Sequence, residues 1–254
     1  MPVMLVDAAT LYYRAFYALP ASLTDSHGRP HNAIRGFFDG LRTLRDAHGP
    51  ERIVACWDDD WRPQWRVELL PSYKTHRVAD EGVEETPDAL GPQVDVIREA
   101  CLALGISVVG APGLEADDVI ASIAMSCAEP VDIVSGDRDL LQLVDDAAQR
   151  RLLYLGTGVG THSVFDEQVV FAKYGVWPRQ YADFATLRGD PSDGIPGAKG
   201  IGEKTAAALL AQYDDLEGIF RGAHNPVRPL SAAKAHMLLE ERALIEAMRA
   251  VVAL

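Results

Sequence analysis

The sequence predicts an α/β fold with a mostly parallel central sheet flanked by helices, followed by a smaller all-helical domain. Three observations carry this reading. Short apolar runs alternate with helical patterns as far as residue 165, the rhythm of a doubly wound parallel sheet. Beyond that point the strand-like runs stop and only helical patterns follow. Acidic residues stand directly after several of the runs, where open parallel sheets carry their sites. The expected division is 1–165 for the sheet domain and 166–254 for the helical one. The 254 residues, 48% of them hydrophobic, suffice for one or two domains with a sizeable core.

Taken in order, Val3 to Val6 suits a buried parallel strand. Residues 33–46 carry Ile34, Phe37, Phe38, Leu41 and Leu44 on one stripe, which predicts an amphipathic helix stopped by Gly49-Pro50. A strand follows within 52–57, a helix over 92–104, a strand over 106–109, a helix over 115–127, and strands over 131–134 and 152–155. Residues 74–91 interrupt this rhythm; they turn acidic after Arg77 and include Pro87 and Gly91. A connection this long points to a functional segment. Residues 166–174, 178–188, 204–212 and 231–250 read as helices, 223–230 as a loop, and 189–202 as a Gly/Pro-rich turn.

The formal charge of −13 and pI near 4.9 exclude a surface that is positive all round, but leave room for a local basic patch. No apolar run reaches the ~18 residues of a membrane span. The start, Met1-Pro2-Val3-Met4-Leu5-Val6-Asp7, lacks the basic region of a signal peptide and reads as a strand. Cys56, Cys101 and Cys127 are odd in number, widely spaced and set among apolar neighbours, so reduced core thiols are expected. The seven histidines show no zinc spacing and read as surface residues. A cytoplasmic, nucleoid-associated protein with no membrane contact is the expectation.

The acids carry most of the functional signal. Asp7 ends the first strand, Asp58 follows the second, and Asp137 and Asp139 follow Asp132-Ile133-Val134-Ser135-Gly136. Glu115, Asp117 and Asp118 open a helix, where one acid is favoured by the dipole but several together repel. Asp190 and Asp193 stand three apart after the 178–188 helix, in a segment whose Asp, Pro, Ser and Gly also suit a capped turn. These nine acids account for most of the net −13. All-oxygen ligands select hard ions such as Mg²⁺ or Mn²⁺, and two such ions about 4 Å apart suit phosphodiester hydrolysis.

Two basic clusters accompany them. Tyr12-Tyr13-Arg14-Ala15-Phe16-Tyr17 places Arg14 one or two helical turns beyond Asp7, and Tyr73-Lys74-Thr75-His76-Arg77 sets cations beside an aromatic ring. Such cations can hold a scissile phosphate, and aromatic faces such as that of Tyr73 can stack bases. Gly197 and Gly202 have the spacing of a P-loop with Lys204-Thr205 behind them, but Glu203 occupies the lysine position and no strand precedes. The better reading is a turn (Gly197, Lys199, Gly200, Gly202, Lys204, Thr205) that feeds backbone N–H groups and a helix N-terminus to a DNA phosphate. A K⁺ ion shared between its carbonyls and that phosphate completes this expectation.

Leu5-Val6-Asp7, Glu115-Ala116-Asp117-Asp118, Ser135-Gly136-Asp137-Arg138-Asp139 and Asp190-Pro191-Ser192-Asp193-Gly194-Ile195-Pro196-Gly197, in this order, resemble the 5′ nuclease (flap endonuclease) family. The likeness is greatest to the 5′-3′ exonuclease domain of bacterial DNA polymerase I in its stand-alone form, and it spans nearly the whole chain. The resemblance implies a PIN-like nuclease domain, a helix–three-turn–helix DNA-binding hairpin at 178–212, and metal-dependent cleavage of 5′ flaps, nicked or gapped duplex and 5′ ends, including RNA-primed ends. It implies a monomer working with a separate DNA polymerase and ligase in replication and repair. It also implies that the nine acids hold metal, that Arg14, Lys74 and Arg77 act on the scissile phosphate, and that Gly197, Gly200 and Gly202 form the hairpin.

Two departures stand out. Asp58-Asp59-Asp60 replaces a single acid, and counting from the strand favours Asp58 while counting back from Tyr73-Lys74 favours Asp59. The segment expected to arch over the 5′ strand carries Asp80, Glu81, Glu84 and Glu85, which would repel that strand and retune threading. Two other readings compete: a catalytically inactive DNA-structure-binding protein, and a PIN-type ribonuclease.

Overall fold

The computed structural model describes residues 1–78 and 87–254. The acids expected in the arch, Asp80, Glu81, Glu84 and Glu85, lie outside the described residues. Six strands form one sheet: β1 (Val3–Asp7), β2 (Arg52–Cys56), β3 (Ser107–Val109), β4 (Val131–Ser135), β5 (Arg150–Tyr154) and β6 (Ser163–Phe165), in the order β3-β2-β1-β4-β5-β6. β1 pairs in parallel with β2 and β4, β2 with β3, and β4 with β5, whereas β6 runs antiparallel on the edge. The sheet is thus mostly parallel, as the sequence predicts. The edge strand β6 was not anticipated, because three residues carry too little pattern to be read.

Strand periodicity sends alternate side chains to opposite faces. On one face Met4, Val6, Val134 and Leu153 pack under α1 (Ala8–Ala18), α2 (Asn32–His48) and α4 (Gly91–Ala103). On the other, Val3, Leu5, Ile133 and Leu152 pack under α5 (Ala116–Ser126) and share a core with the C-terminal helices. Burial on both faces is why β1 reads as an unbroken apolar run. The short α3 (Gln64–Leu69) lies between β2 and the basic Tyr73–Arg77 segment.

The C-terminal part comprises α6 (Glu167–Tyr174), α7 (Tyr181–Arg188), α8 (Glu203–Tyr213), α9 (Leu216–Ala223), α10 (Ala232–Glu240) and α11 (Arg242–Val252). Three expectations are corrected here. The helix expected over 178–188 opens with a 3₁₀ turn, Pro178–Gln180. The single helix expected over 231–250 is two helices that break at Glu241, where the chain turns α11 back against α7 and α3. The helix α9 was missed; its N-cap is Asp215, whose side chain accepts from Gly218 N at 2.6 Å. Of the three cysteines, Cys56 and Cys101 are buried as expected, while Cys127 is half-exposed.

The Gly/Pro-rich turn after α7 folds back on the Ser72–Lys74 segment. Lys74 N donates to Asp193 O at 2.9 Å and Ser72 Oγ to Gly194 O at 2.7 Å. Gly194 has φ +72, and a Cβ there would meet Ser72 O at 2.2 Å. Gly194→Ala is therefore expected to cost more than about 1 kcal/mol, from backbone strain and from separating two segments of the site. Denaturant unfolding of the variant checks this, and an unchanged midpoint would refute it.

Candidate active site

Strand order reverses between β1 and β4, so a crevice opens outside their carboxyl ends. A groove of about 810 Å³ lies there, walled by Asp7, Arg14, Asp58, Lys74, Arg77, Glu115, Asp117 and Asp137 among others. Six of the nine acids stand at the ends of just three elements, β1, β4 and the start of α5. Asp58 at the end of β2 joins them.

Asp7 caps α1: Thr10 N donates to it at 3.0 Å, and Ser135 Oγ at 2.6 Å. Ser135 Oγ also accepts from Asp137 N at 2.9 Å, so the ends of β1 and β4 are stitched together through one hydroxyl. Thr10 and Ser135 were not singled out from the sequence; small hydroxyl residues carry no distinctive spacing. Asp58 Oδ1 accepts from Ala116 N at 2.8 Å, which ties β2 to the start of α5. Asp59 also borders the groove, but its carboxyl lies against Gly110 and 3.9 Å from Arg98. Between the two counts, the fold therefore follows the one from the strand, and Asp58 faces the other carboxylates.

Asp139 and Asp190 are buried and Asp193 half-buried, on the far side of Asp137 and Asp117. A narrow cavity between Asp117, Asp139 and Asp193 is closed by Val251, Val252 and Leu254. Asp137 Oδ1 accepts from Asp139 N at 2.8 Å. Asp190 accepts from Ser192 N at 2.9 Å and pairs with Arg188 at 3.4 Å and Arg138 at 3.7 Å. Asp193 pairs with Arg77 at 2.8 Å.

Crowding shows in the acidities. Burial, and then the charge of Asp7, pushes Asp58 up to about 7. Burial, and then Asp193, pushes Asp137 up to about 6. Asp117 and Asp139 are raised well above the usual carboxylate range by burial and then by Asp137. Glu115 is raised by burial, against the pull of Lys74 and Arg66. A carboxylate with a raised folded-state pKa binds its proton more tightly folded than unfolded. Its contribution to stability is thus full below the unfolded value of ~3.9 and is lost as pH rises through the folded value. Chelator-treated protein is expected to lose thermal stability between about pH 4 and pH 7, the window these shifts span. Melting curves across that range check the sign, and stability rising with pH would contradict it.

Cations answer part of this charge. Lys74 sits at φ +48, with its ammonium on Glu115 and 3.3 Å from Trp61 O. Burial opposes its charge, yet Glu115 and Asp193 hold it protonated above the ordinary lysine value. Arg14 lines the groove, and its buried Nε has no hydrogen-bond partner among the described residues.

Three expectations are revised by this geometry. Tyr73 is buried at 3% exposure and donates its hydroxyl to Glu115 at 2.8 Å, so its ring presents no face for a base. Asp118 accepts two bonds from Arg66, at 2.6 and 2.7 Å, and faces away from the groove. Gly197 is packed inward, where a Cβ would meet Gly189 N at 2.6 Å, so its glycine serves chain packing. By contrast Lys199, Gly200, Gly202 and Lys204 are exposed at the start of α8, and Thr205 is half-buried behind them. Arg66, buried at 2%, went unnoticed in the sequence because an arginine in a short polar helix reads as solvated.

A reversing parallel sheet that gathers buried carboxylates and cations into an open groove defines the class: an acid-rich α/β nuclease. Family models make it particular. Residues 2–175 match the 5′-3′ exonuclease N-terminal resolvase-like domain, and residues 176–254 match the 5′-3′ exonuclease C-terminal SAM fold. The chain belongs to the 5′-3′ exonuclease family. It is 53% identical to a 5′-3′ exonuclease of Streptomyces coelicolor, over 93% of this chain and 80% of that protein. It is 46% identical to one of Mycobacterium tuberculosis, over 99% and 83%. DNA polymerase I of Mycobacterium bovis is 43% identical over 85% of this chain, a match covering 24% of that polymerase. In fold the chain is similar to the T5 D15 protein co-crystallised with metal ions (TM-score 0.77, 19% identity, 99% of this chain and 89% of that one). It is also similar to the catalytic core of Rad2 in complex with DNA substrate (TM-score 0.57, 18% identity, 95% and 73%). Among the described residues, no helix is long and apolar enough to cross a membrane.

Proposed function

We propose that the chain hydrolyses DNA phosphodiesters at 5′ ends and 5′ flaps with two divalent ions held in the carboxylate groove. The observation that carries this is the set of raised acids, Asp58, Asp117, Asp137 and Asp139, gathered around one groove and held above the usual carboxylate range by burial and then by neighbouring carboxylates. The donor set fits hard cations: it is all carboxylate, and Asp139 Oδ1 is buried with no partner among the described residues. Among those residues no three acids, histidines or cysteines already converge in metal-holding geometry, so water would complete the ligand shells.

Asp7, Asp58, Glu115, Asp117 and Asp137 would hold ions on the groove side, and Asp139, Asp190 and Asp193 on the other. Mg²⁺ or Mn²⁺ bound there would supply Lewis-acid activation of water and of the departing oxygen. Arg14 and Lys74 would orient the scissile phosphate, and Arg77 would hold Asp193 and the strand beside it. Asp118 serves as the anchor for Arg66. The exposed turn of Lys199, Gly200, Gly202 and Lys204 would grip the duplex backbone through N–H groups and the α8 terminus, with K⁺ shared between turn and phosphate. Cleavage of flaps and RNA-primed ends would let the chain act between a DNA polymerase and a ligase.

The test is cleavage of a labelled duplex with a 5′ flap in Mg²⁺, Mn²⁺ or EDTA, using matched DNA and RNA flaps. Metal-dependent cutting near the junction of the DNA flap is expected. Binding without cutting in either metal would favour an inactive structure-binding protein. Cutting of the RNA flap alone would favour a ribonuclease.

A further inference from the structure

The fold brings together two histidines that the sequence gives no reason to connect. His48 is the last residue of α2, and His162 stands just before β6. Both are half-buried. Their Nε2 atoms are 2.8 Å apart, with ring centroids 4.9 Å apart and planes at 56°. His162 Nδ1 lies 2.7 Å from Val159 O. A carbonyl only accepts, so Nδ1 carries the proton, and in the neutral ring Nε2 keeps its lone pair. That lone pair is turned toward His48. Burial holds His48 below the usual histidine range, against the pull of Asp132 and with the help of His162 and Arg151. The burial that lowers His48 favours its neutral, metal-ligating form.

We propose that His48 and His162 form a two-imidazole site for a late first-row divalent ion of the Zn²⁺ class, separate from the carboxylate groove. Two Zn–N bonds of ~2.0–2.1 Å, at angles from square to tetrahedral, span roughly 2.8–3.4 Å between nitrogens, and the pair stands at the short end of that range. A carbonyl behind the remote ring nitrogen is the arrangement that orients metal-ligating histidines. Imidazole selects Zn²⁺, Ni²⁺ or Cu²⁺, whereas the all-oxygen groove selects Mg²⁺ or Mn²⁺, so the two sites would sort ions by chemistry. Among the described residues no third His, Cys, Asp or Glu joins the pair in ligating geometry. The nearby Asp132 is already held by Arg151 at 2.6 Å. Water would fill the remaining positions. Neither histidine lines the groove. The ion would act as a clamp between the end of α2 and the loop preceding β6, whose Val159 already packs over Gly40 of α2.

Calorimetric titration of ZnCl₂ into the full chain, in excess Mg²⁺, tests this with wild type, His48→Gln, His162→Gln and Asp137→Asn. One Zn²⁺ is expected to bind wild type and raise its melting midpoint. Binding is expected to weaken at least ~10-fold in either histidine variant and to persist in Asp137→Asn, with circular dichroism confirming the fold of each. Wild type loaded with one equivalent of Cu²⁺ should show nitrogen couplings from two imidazoles by electron paramagnetic resonance, a readout independent of any variant. Equal Zn²⁺ uptake in the histidine variants would place the ion elsewhere, for instance at the exposed His236–Glu240 pair. No uptake by wild type would reduce the contact to an N–H···N hydrogen bond. Either result overturns the proposal.

Discussion

Asp137→Asn is expected to lower single-turnover flap cleavage by about 10³-fold or more, roughly 4 kcal/mol of transition-state stabilisation, while the metal-free protein melts no lower than wild type. The two halves of this result have one cause. Asp137 lies at the centre of the acid cluster, and its charge heads the electrostatic repulsions that raise both Asp117 and Asp139. Its Oδ1 also accepts from Asp139 N at 2.8 Å. Asparagine retains a carbonyl oxygen for that bond but removes the charge. The fold should therefore be kept or helped, and the pull on divalent ions lost. Divalent ions should raise the wild-type midpoint more than that of the variant. Cleavage kinetics with melting curves in EDTA and in Mg²⁺ check both halves. Wild-type cleavage by the variant would remove Asp137 from the chemistry, and a large loss of stability would show that its role is structural.

How much of this was legible in the sequence depended on whether a residue's neighbours in space are also its neighbours in the chain. The strand-end acids were readable because a parallel sheet fixes which end of every strand faces the crevice. Asp7 and Asp137 needed no tertiary knowledge beyond that. Side-chain direction within a run of acids was not readable. Asp58 and Asp59 differ by one residue, and only the Ala116 N–H, 58 positions away, decides which one points inward. Tyr73 and Asp118 failed for the same reason. Each is claimed by a distant partner, Tyr73 by Glu115 and Asp118 by Arg66, and no local pattern announces a claim of that kind. Short elements were the other blind spot: β6 and α3 are too brief for periodicity to separate them from loops.

The largest effect on stability is expected at Arg66. Its guanidinium is buried against Asp118 at 2.6 and 2.7 Å, stands 3.5 Å from Glu115, and donates Nε–H to Val251 O at 3.1 Å. One side chain thereby joins α3, the start of α5 and the end of α11, drawing the last helix against the acid cluster. Arg66→Met would leave Asp118 and Glu115 facing each other with Lys74 as the nearest remaining cation. Removing one partner of a buried pair costs about 3–5 kcal/mol, mostly from the charge left behind. Asp118→Leu alone should cost a similar amount, by stranding the guanidinium. The double variant Arg66→Met/Asp118→Leu should recover a large part, since neither charge is then left unpaired. Denaturant unfolding of all four proteins measures the coupling directly. Additive losses would mean that the pair is not coupled and that Arg66 acts through Val251 O and packing alone. Coupling of the expected size would make this ion pair, which the sequence conceals, the structural support for Glu115 in the groove.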